Sequence, residues 1–258
     1  MSSLMESEYA DEPFSDTESA PRRESSGRLL KLQLPSFNLN LKSAMVLDRT
    51  VKKVTINKTK FTKVRLRGMG INDLDAMRLA IGLRGNTSVT LIDLGYCNLT
   101  AAGAQSLFEA LRKNKTLKFL FLDGNKIGKK GARAAAEAIL DGKLALTVLD
   151  LNGNNIGAGG AKLIARALSS SKTTLEALDL GGNRIRDEGA EEVSKALQNS
   201  NSKLRKLGLE RNGIGNGAAK LLAEFLYHNR TLRRLDIRGN RISDEGISAF
   251  YAEIVHPV

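Results

Sequence analysis

The sequence predicts an α/β fold, a right-handed solenoid bent into a horseshoe, with a parallel β-sheet on its inner face and helices outside. Three observations carry that reading. A pattern of the form L-x-x-L-x-L-x-x-N-x-I restarts at Phe61, Val89, Leu117, Leu146, Leu175, Leu204 and Leu232, at intervals of 28, 28, 29, 29, 29 and 28 residues. Repeats of this length mark a stack of supersecondary units, none of which can bury its apolar face alone. Inside each unit the apolar spacing switches from that of a strand to that of a helix. The chain has 258 residues, 41% of them hydrophobic, which suffices for a large core arranged as one elongated domain.

Residues 1–27 are rich in Ser, Glu, Asp and Pro and poor in aliphatic residues. Such a segment cannot bury enough surface to offset its ordering entropy, so a disordered acidic tail is expected. It holds two kinase-like patterns, Arg22-Arg23-Glu24-Ser25 and Ser15-Asp16-Thr17-Glu18, which make Ser25 and Ser15 candidate phosphorylation sites. From Leu30 the chain alternates (Leu30, Leu32, Leu34, then Leu39, Leu41), and Val51, Val54 and Ile56 mimic the opening of a repeat. A strand-rich N-terminal cap is therefore expected over 28–60, followed by a seven-unit array over 61–258.

In the first half of each unit a short strand turns its leucines inward, for example Leu117, Leu120 and Leu122, or Leu175, Leu178 and Leu180. In the second half apolar residues recur on one helical face: Ala104, Leu107, Leu111; Ala161, Ile164, Leu168; Ala190, Val193, Leu197; Ile247, Phe250, Ile254. Gly103, Gly131, Gly160, Gly189 and Gly246 stand near the helix starts, where glycine suits a tight turn or close approach to the neighbouring coil. Asn125, Asn154, Asn183, Asn212 and Asn240 follow the strands. Turned inward, their amides can satisfy backbone groups of adjacent coils, a structural role rather than a catalytic one. Met69 replaces asparagine in the first unit and cannot do this.

The pattern closely resembles the ribonuclease-inhibitor-like class of leucine-rich repeats, shared by ribonuclease inhibitors, Ran GTPase-activating proteins and the sensor arrays of NOD-like receptors. The resemblance runs from about Phe61 to Ile254 and implies intracellular recognition of a protein on the concave sheet. It also implies that Cys97, at the asparagine place of the second unit, is an accepted substitute. A NOD-like receptor needs a nucleotide-binding domain, yet Gly124-Asn-Lys-Ile-Gly128-Lys-Lys has the wrong spacing for a phosphate-binding loop and lacks its hydroxyl residue. Ran GTPase-activating proteins resemble the chain in repeat type but typically carry more units and an acidic stretch after them. Nothing acidic follows Val258, so no GTPase-contacting residue carries over, and GTPase regulation stands as an alternative function.

Composition narrows the classes further. With Cys97 alone no intrachain disulfide forms, and a reducing compartment, cytoplasm or nucleus, is expected. Met1 to Ala10 has neither a basic nor an apolar leader region, and no stretch approaches eighteen apolar residues, so no signal peptide or membrane span is expected. Five N-x-[ST] matches, at Asn57, Asn86, Asn98, Asn114 and Asn229, mostly hold fixed places in the repeat and are read as structural. The net charge is +12, divided into −5 for residues 1–27 and +17 for the remainder. That excess favours an acidic partner and makes a nucleic-acid-associated basic protein the second alternative, served by Lys129, Lys130, Arg133, Lys162, Arg166, Lys195 and Lys220 on the helical side. The absence of tryptophan and 5% aromatic content disfavour single-strand stacking. His228 and His256 lie at a helix end and in the terminal tail. No catalytic triad or zinc cluster is readable, and an enzyme, a cofactor or a metal is not expected.

The third, fifth and seventh residues of each unit point out of the concave sheet. The third column reads Lys63, Leu91, Phe119, Val148, Ala177, Lys206, Arg234; the fifth Arg65, Asp93, Phe121, Asp150, Asp179, Gly208, Asp236; the seventh Arg67, Gly95, Asp123, Asn152, Gly181, Glu210, Arg238. Leu91, Phe119, Phe121 and Val148 are expected to form a contiguous exposed apolar patch, a hot spot for a protein partner. Asp93, Asp123, Asp150 and Asp179 supply its acidic surroundings, although aspartate at the fifth place is also common in this repeat class. Cover by the N-terminal segment or by a second copy of the chain is the other reading of the patch. The sequence expectation is thus a scaffold or adaptor whose partner is unidentified.

Overall fold

A computed structural model describes residues 35–198 and 203–255 of the chain. Seven three-residue strands, β1 (Lys63–Arg65), β2 (Leu91–Asp93), β3 (Phe119–Phe121), β4 (Val148–Asp150), β5 (Ala177–Asp179), β6 (Lys206–Gly208) and β7 (Arg234–Asp236), form one sheet in sequence order. All neighbours are parallel and in register, so that Leu91 pairs with Phe119, Phe119 with Val148 and Val148 with Ala177. A helix follows each strand: α2 (Asp73–Leu83), α3 (Ala101–Leu111), α4 (Gly128–Leu140), α5 (Gly157–Leu168), α6 (Arg186–Leu197), α7 (Asn216–His228) and α8 (Asp244–Val255). Successive helices pack side by side. This is the expected α/β leucine-rich-repeat solenoid, with a parallel sheet on one layer and helices on the other.

The main core lies between the layers. Ile92, Leu120, Leu149, Leu178 and Leu207, the central strand residues, are fully buried there together with Leu107, Ile164 and Val193 from the helices. Close approach explains the glycines near the helix starts. A Cβ on Gly131 or Gly189 would collide with the side chain of Ile127 or Ile185, and one on Gly160 would sit 3.3 Å from Ala132 of the preceding helix. A different glycine serves the turn: Gly124, Gly153, Gly182 and Gly239, directly before the asparagines, all adopt φ between 61° and 66°, the left-handed region that costs other residues most.

The asparagines close the stack. Asn154 donates from Nδ2 to the Leu122 carbonyl of the coil before it at 2.8 Å, Asn183 to Leu151 at 2.8 Å, Asn212 to Leu180 at 2.9 Å and Asn240 to Leu209 at 2.9 Å. Asn125 does the same with Leu94 at 2.9 Å. Their Oδ1 atoms accept backbone N–H groups of that same preceding coil, for instance Asn154 N to Asn183 at 2.9 Å and Asn183 N to Asn212 at 2.8 Å. At the second coil the buried Cys97 thiol substitutes with one weak bond to the Leu66 carbonyl at 3.3 Å, and burial raises its pKa, which leaves it an inert thiol.

A second set of asparagines works at the other end of the coil. Asn86 and Asn114 are buried, and their amides donate to Val54 and Leu83 carbonyls at 2.9 Å each. Asn229 donates to Leu197 at 2.6 Å. Their Oδ1 atoms accept the N–H groups two and three residues on, and the Ser88 and Thr116 hydroxyls reach the preceding coil at Phe61 and Val89. The N-x-[ST] spelling at these three positions is therefore a turn that ties helix ends to the next strand.

The N-terminal cap differs from expectation. Residues Pro35–Thr55 form a 21-residue helix, α1, rather than strands, and α1 packs on α2. Leu47, Val51 and Val54 stand at i, i+4 and i+7, and Leu47 and Val54 are buried against the first coil. Short apolar runs fit either period, and proline at a first helical position favours the helix. Leu30, Leu32 and Leu34, the acidic tail and both candidate phosphorylation sites lie outside the described residues. In the last unit Ile247 is exposed instead of buried, because no further coil covers α8 among the described residues, and the Ile254 side chain is not described.

Asn183→Ala, which strands both an inward carbonyl and an N–H, is expected to lower unfolding free energy by about 1–3 kcal/mol. Urea denaturation of variant and parent measures this, and a loss no larger than that of exposed Asn98→Ala would refute the role given to the amide.

Candidate functional site

The first and last residues of every strand project from the sheet away from the main core, because alternate side chains leave opposite faces. Leu91, Phe121, Val148 and Ala177 form a separate apolar cluster there, with Phe119 packed against it. The expected exposure of this patch is not found. Phe121 is fully buried, Leu91 and Val148 are 5% and 2% exposed, and Phe119 alone keeps a half-buried edge. Bulky side chains on strands about 4.8 Å apart occupy one another's solvent-facing surface.

A row of carboxylates crosses the same face beside this cluster. Asp93, Asp123, Asp150 and Asp179 are all buried. At one end Arg67 holds two of them: Nε donates to Asp93 at 2.9 Å, while the two terminal nitrogens donate to Asp123 at 2.9 and 2.6 Å. Burial acts to lower the guanidinium pKa, and the hydrogen bonds to Asp123 and Asp93 outweigh it, raising the pKa. The exposed Tyr96 ring stacks near the same guanidinium, 5.4 Å from its centroid. At the other end Arg238 donates to Asp236 from Nε at 2.9 Å.

The middle of the row is different. Asn152 Nδ2 donates to Asp179 at 3.3 Å and to Glu210 at 2.8 Å, and Asp179 also accepts the Gly181 N–H at 2.8 Å. Asp150 Oδ1 accepts the Asn152 N–H at 2.9 Å, but its buried Oδ2 has no hydrogen-bond partner. Burial, then the nearby charges of Asp179 and Asp123, push the Asp150 pKa well above the usual carboxylate range. Burial and Asp179 likewise raise that of Glu210. Gly208, across from Asp179, has no side chain to fill the space that this carboxylate occupies. The described residues include no group of three or more metal-ligand side chains arranged to hold a metal, and no helix among them is long and apolar enough to cross a membrane.

The sequence columns assigned all eight proposed contact residues to this face but missed Arg67, Asn152 and Glu210 as the groups that organise its charge. The available signal was a seventh-column arginine or amide standing one coil away from fifth-column aspartates.

A solenoid of parallel strands and outer helices with inward asparagines defines a repeat protein of stacked strand–helix coils. Residues 85–108, 113–134, 145–165, 171–194, 200–223 and 228–250 match the leucine-rich repeat family model, and the chain belongs to that family, in its ribonuclease-inhibitor-like form. It is 32% identical over 88 residues to ribonuclease inhibitor of Sus scrofa, a match covering 34% of this chain and 19% of that protein. It is 32% identical over 107 residues to leucine-rich repeat-containing protein 45 of Gallus gallus, covering 42% of this chain and 15% of that one. The chain thus spans less than a fifth of either relative. Among solved structures it is similar to the tropomodulin C-terminal domain of Caenorhabditis elegans, with a TM-score of 0.41 and 14% identity over 81% of this chain and 90% of that one.

Because Asp150 binds its proton more tightly when folded than when unfolded, its ionisation destabilises the fold as pH rises above the ordinary aspartate value of 3.8. Asp150→Asn is therefore expected to raise the melting temperature at pH 7 and to lose that advantage below about pH 4. Thermal denaturation of both proteins across this range checks it; an advantage independent of pH would refute the assignment.

Proposed function

We propose that this chain is an intracellular protein-binding scaffold or adaptor that takes its partner on the concave face. The observation that supports this reading is the second apolar cluster, Leu91, Phe121, Val148 and Ala177 with Phe119 at its edge, collected on the face turned away from the main core and bordered by carboxylates. Hydrophobic residues flanked by acids suit a partner segment that presents an apolar anchor beside a lysine or arginine. Glu210, the half-buried acid of the row, would meet that cation, and Tyr96 and Arg67 form the rim. Carboxylates across the middle of the face oppose a phosphate backbone, which sets nucleic acid aside here. The acidic arm that carries Ser15 and Ser25 would act as a modulator, since phosphorylation adds negative charge opposite the basic ends of the face.

Phe119 is the residue to change, because it is the half-buried member of the cluster, whereas truncating Phe121 would open a core cavity. A partner captured by the intact chain and then purified is expected to bind Phe119→Glu about 30-fold more weakly or worse, the loss that a 2 kcal/mol hot spot gives. Titration calorimetry measures the affinity, and circular dichroism checks the fold. Unchanged affinity in a folded variant would remove the concave face as the binding surface.

A further inference from the structure

Away from the apolar cluster, at the edge where strands pass into helices, Arg184, Arg186, Arg211 and Arg241 line a cleft of about 620 Å³ with Asp187, Asn212 and Gly213. The four arginines come from three successive coils: Arg184 between β5 and α6 with Arg186 the first residue of α6, Arg211 between β6 and α7, and Arg241 between β7 and α8. All four are exposed, and none makes an ion pair or side-chain hydrogen bond among the described residues. The acid in the lining is Asp187, whose Oδ1 already accepts the Gly215 N–H at 2.6 Å. Four guanidinium groups to one engaged carboxylate leave the cleft strongly cationic, and folding alone gives no reason to gather them.

The backbone supplies a second, independent observation. Arg184, Arg186 and Arg211 have φ of 58°, 59° and 52°, in the left-handed region where side chains other than glycine are strained. At equivalent places several units use glycine with positive φ, Gly68, Gly124, Gly153, Gly182 and Gly239 for Arg211, Gly128 and Gly157 for Arg186, and Gly70 and Gly213 for Arg184, while Tyr96 at the place of Arg211 and Asn155 at that of Arg184 take the same conformation singly. Glycine would satisfy the turn at each place, yet three arginines stand there within one cleft. Strain that the fold does not require marks a place where side chains are kept for a ligand.

We propose that Arg184, Arg186, Arg211 and Arg241 form a binding site for a phosphate monoester, carried either on a phosphorylated peptide or on a free phosphate compound. The planar guanidinium forks match tetrahedral phosphate oxygens two at a time, and a dianionic group offsets the excess charge that a single carboxylate cannot. This site is independent of the concave face.

The test titrates the full chain by calorimetry, at about 0.15 M salt so that diffuse charge attraction is screened. The probes are inorganic pyrophosphate, a Gly-phosphoserine-Gly peptide, its unphosphorylated twin and a short DNA duplex. Saturable one-to-one binding is expected for pyrophosphate, the phosphopeptide or both, with none for the twin. Pyrophosphate alone would identify a free phosphate as the ligand source, and the phosphopeptide alone a modified protein. The double variant Arg184→Gly/Arg211→Gly restores the residue used by other units, so it is expected to melt no lower than the parent while binding about tenfold more weakly or worse. Lys113→Gln/Lys118→Gln, exposed at the opposite edge where α3 passes into β3, serves as the control and is expected to bind like the parent. The proposal is overturned by absence of phosphate binding, by equal binding in the glycine variant, by equal weakening in the lysine control, or by tighter binding of the duplex.

Discussion

Each coil converts a strand into a helix within a few residues, and the backbone groups exposed by that turn lie inside the stack, where water does not reach them. The asparagine amides resolve this by donating to a carbonyl and accepting an N–H from the coil before. No coil can therefore satisfy its own turn, and stability is a property of neighbours. Apolar packing fills the space between sheet and helices, but a hydrophobic core alone does not set the angle or register of successive coils. The amides do, because their hydrogen bonds are directional. The arrangement tolerates weak links at its first two coils, where Met69 and the Cys97 thiol stand in the asparagine place, before Asn125 resumes the series.

Register fixed in this way aligns residues separated by 28 or 29 positions into columns across the sheet. The concave face inherits both its cluster and its tension from that alignment. Phe119 and Phe121 find Leu91 and Val148 one strand away on either side. The same alignment stacks Asp150 beside Asp179, so like charges face each other with little water to screen them. Arg67 relieves one end of the row and Arg238 the other, while the centre keeps a buried carboxylate oxygen without a partner.

The edge of the solenoid follows another logic. There the chain turns through left-handed conformations, most often at glycine. Arg184, Arg186 and Arg211 take the same conformations with a long charged side chain. Concave face and arginine cleft thus differ in sign, in shape and in the chemistry each would accept, as expected of a repeat array whose surfaces vary while its inner residues stay constant.

The sequence by itself determined the architecture. Its 28–29-residue period, the strand leucines and the inward asparagines are local patterns that only one stacked geometry satisfies, and the columns of outward residues follow from the two-residue period of a strand. The glycosylation-like triplets were legible as structural for the same reason, although their cross-coil bonds were not. Tertiary structure alone decided the rest. Whether Leu47, Val51 and Val54 belong to a helix depended on the first coil offering a surface to cover. Whether Phe121 is exposed depended on how closely neighbouring strands bring Leu91 and Val148. Arg67 reaching Asp123, and four arginines from three coils meeting in one cleft, are convergences of residues about 26–57 positions apart. Burial and charge are set by distances through space, and periodicity along the chain reveals direction but not distance.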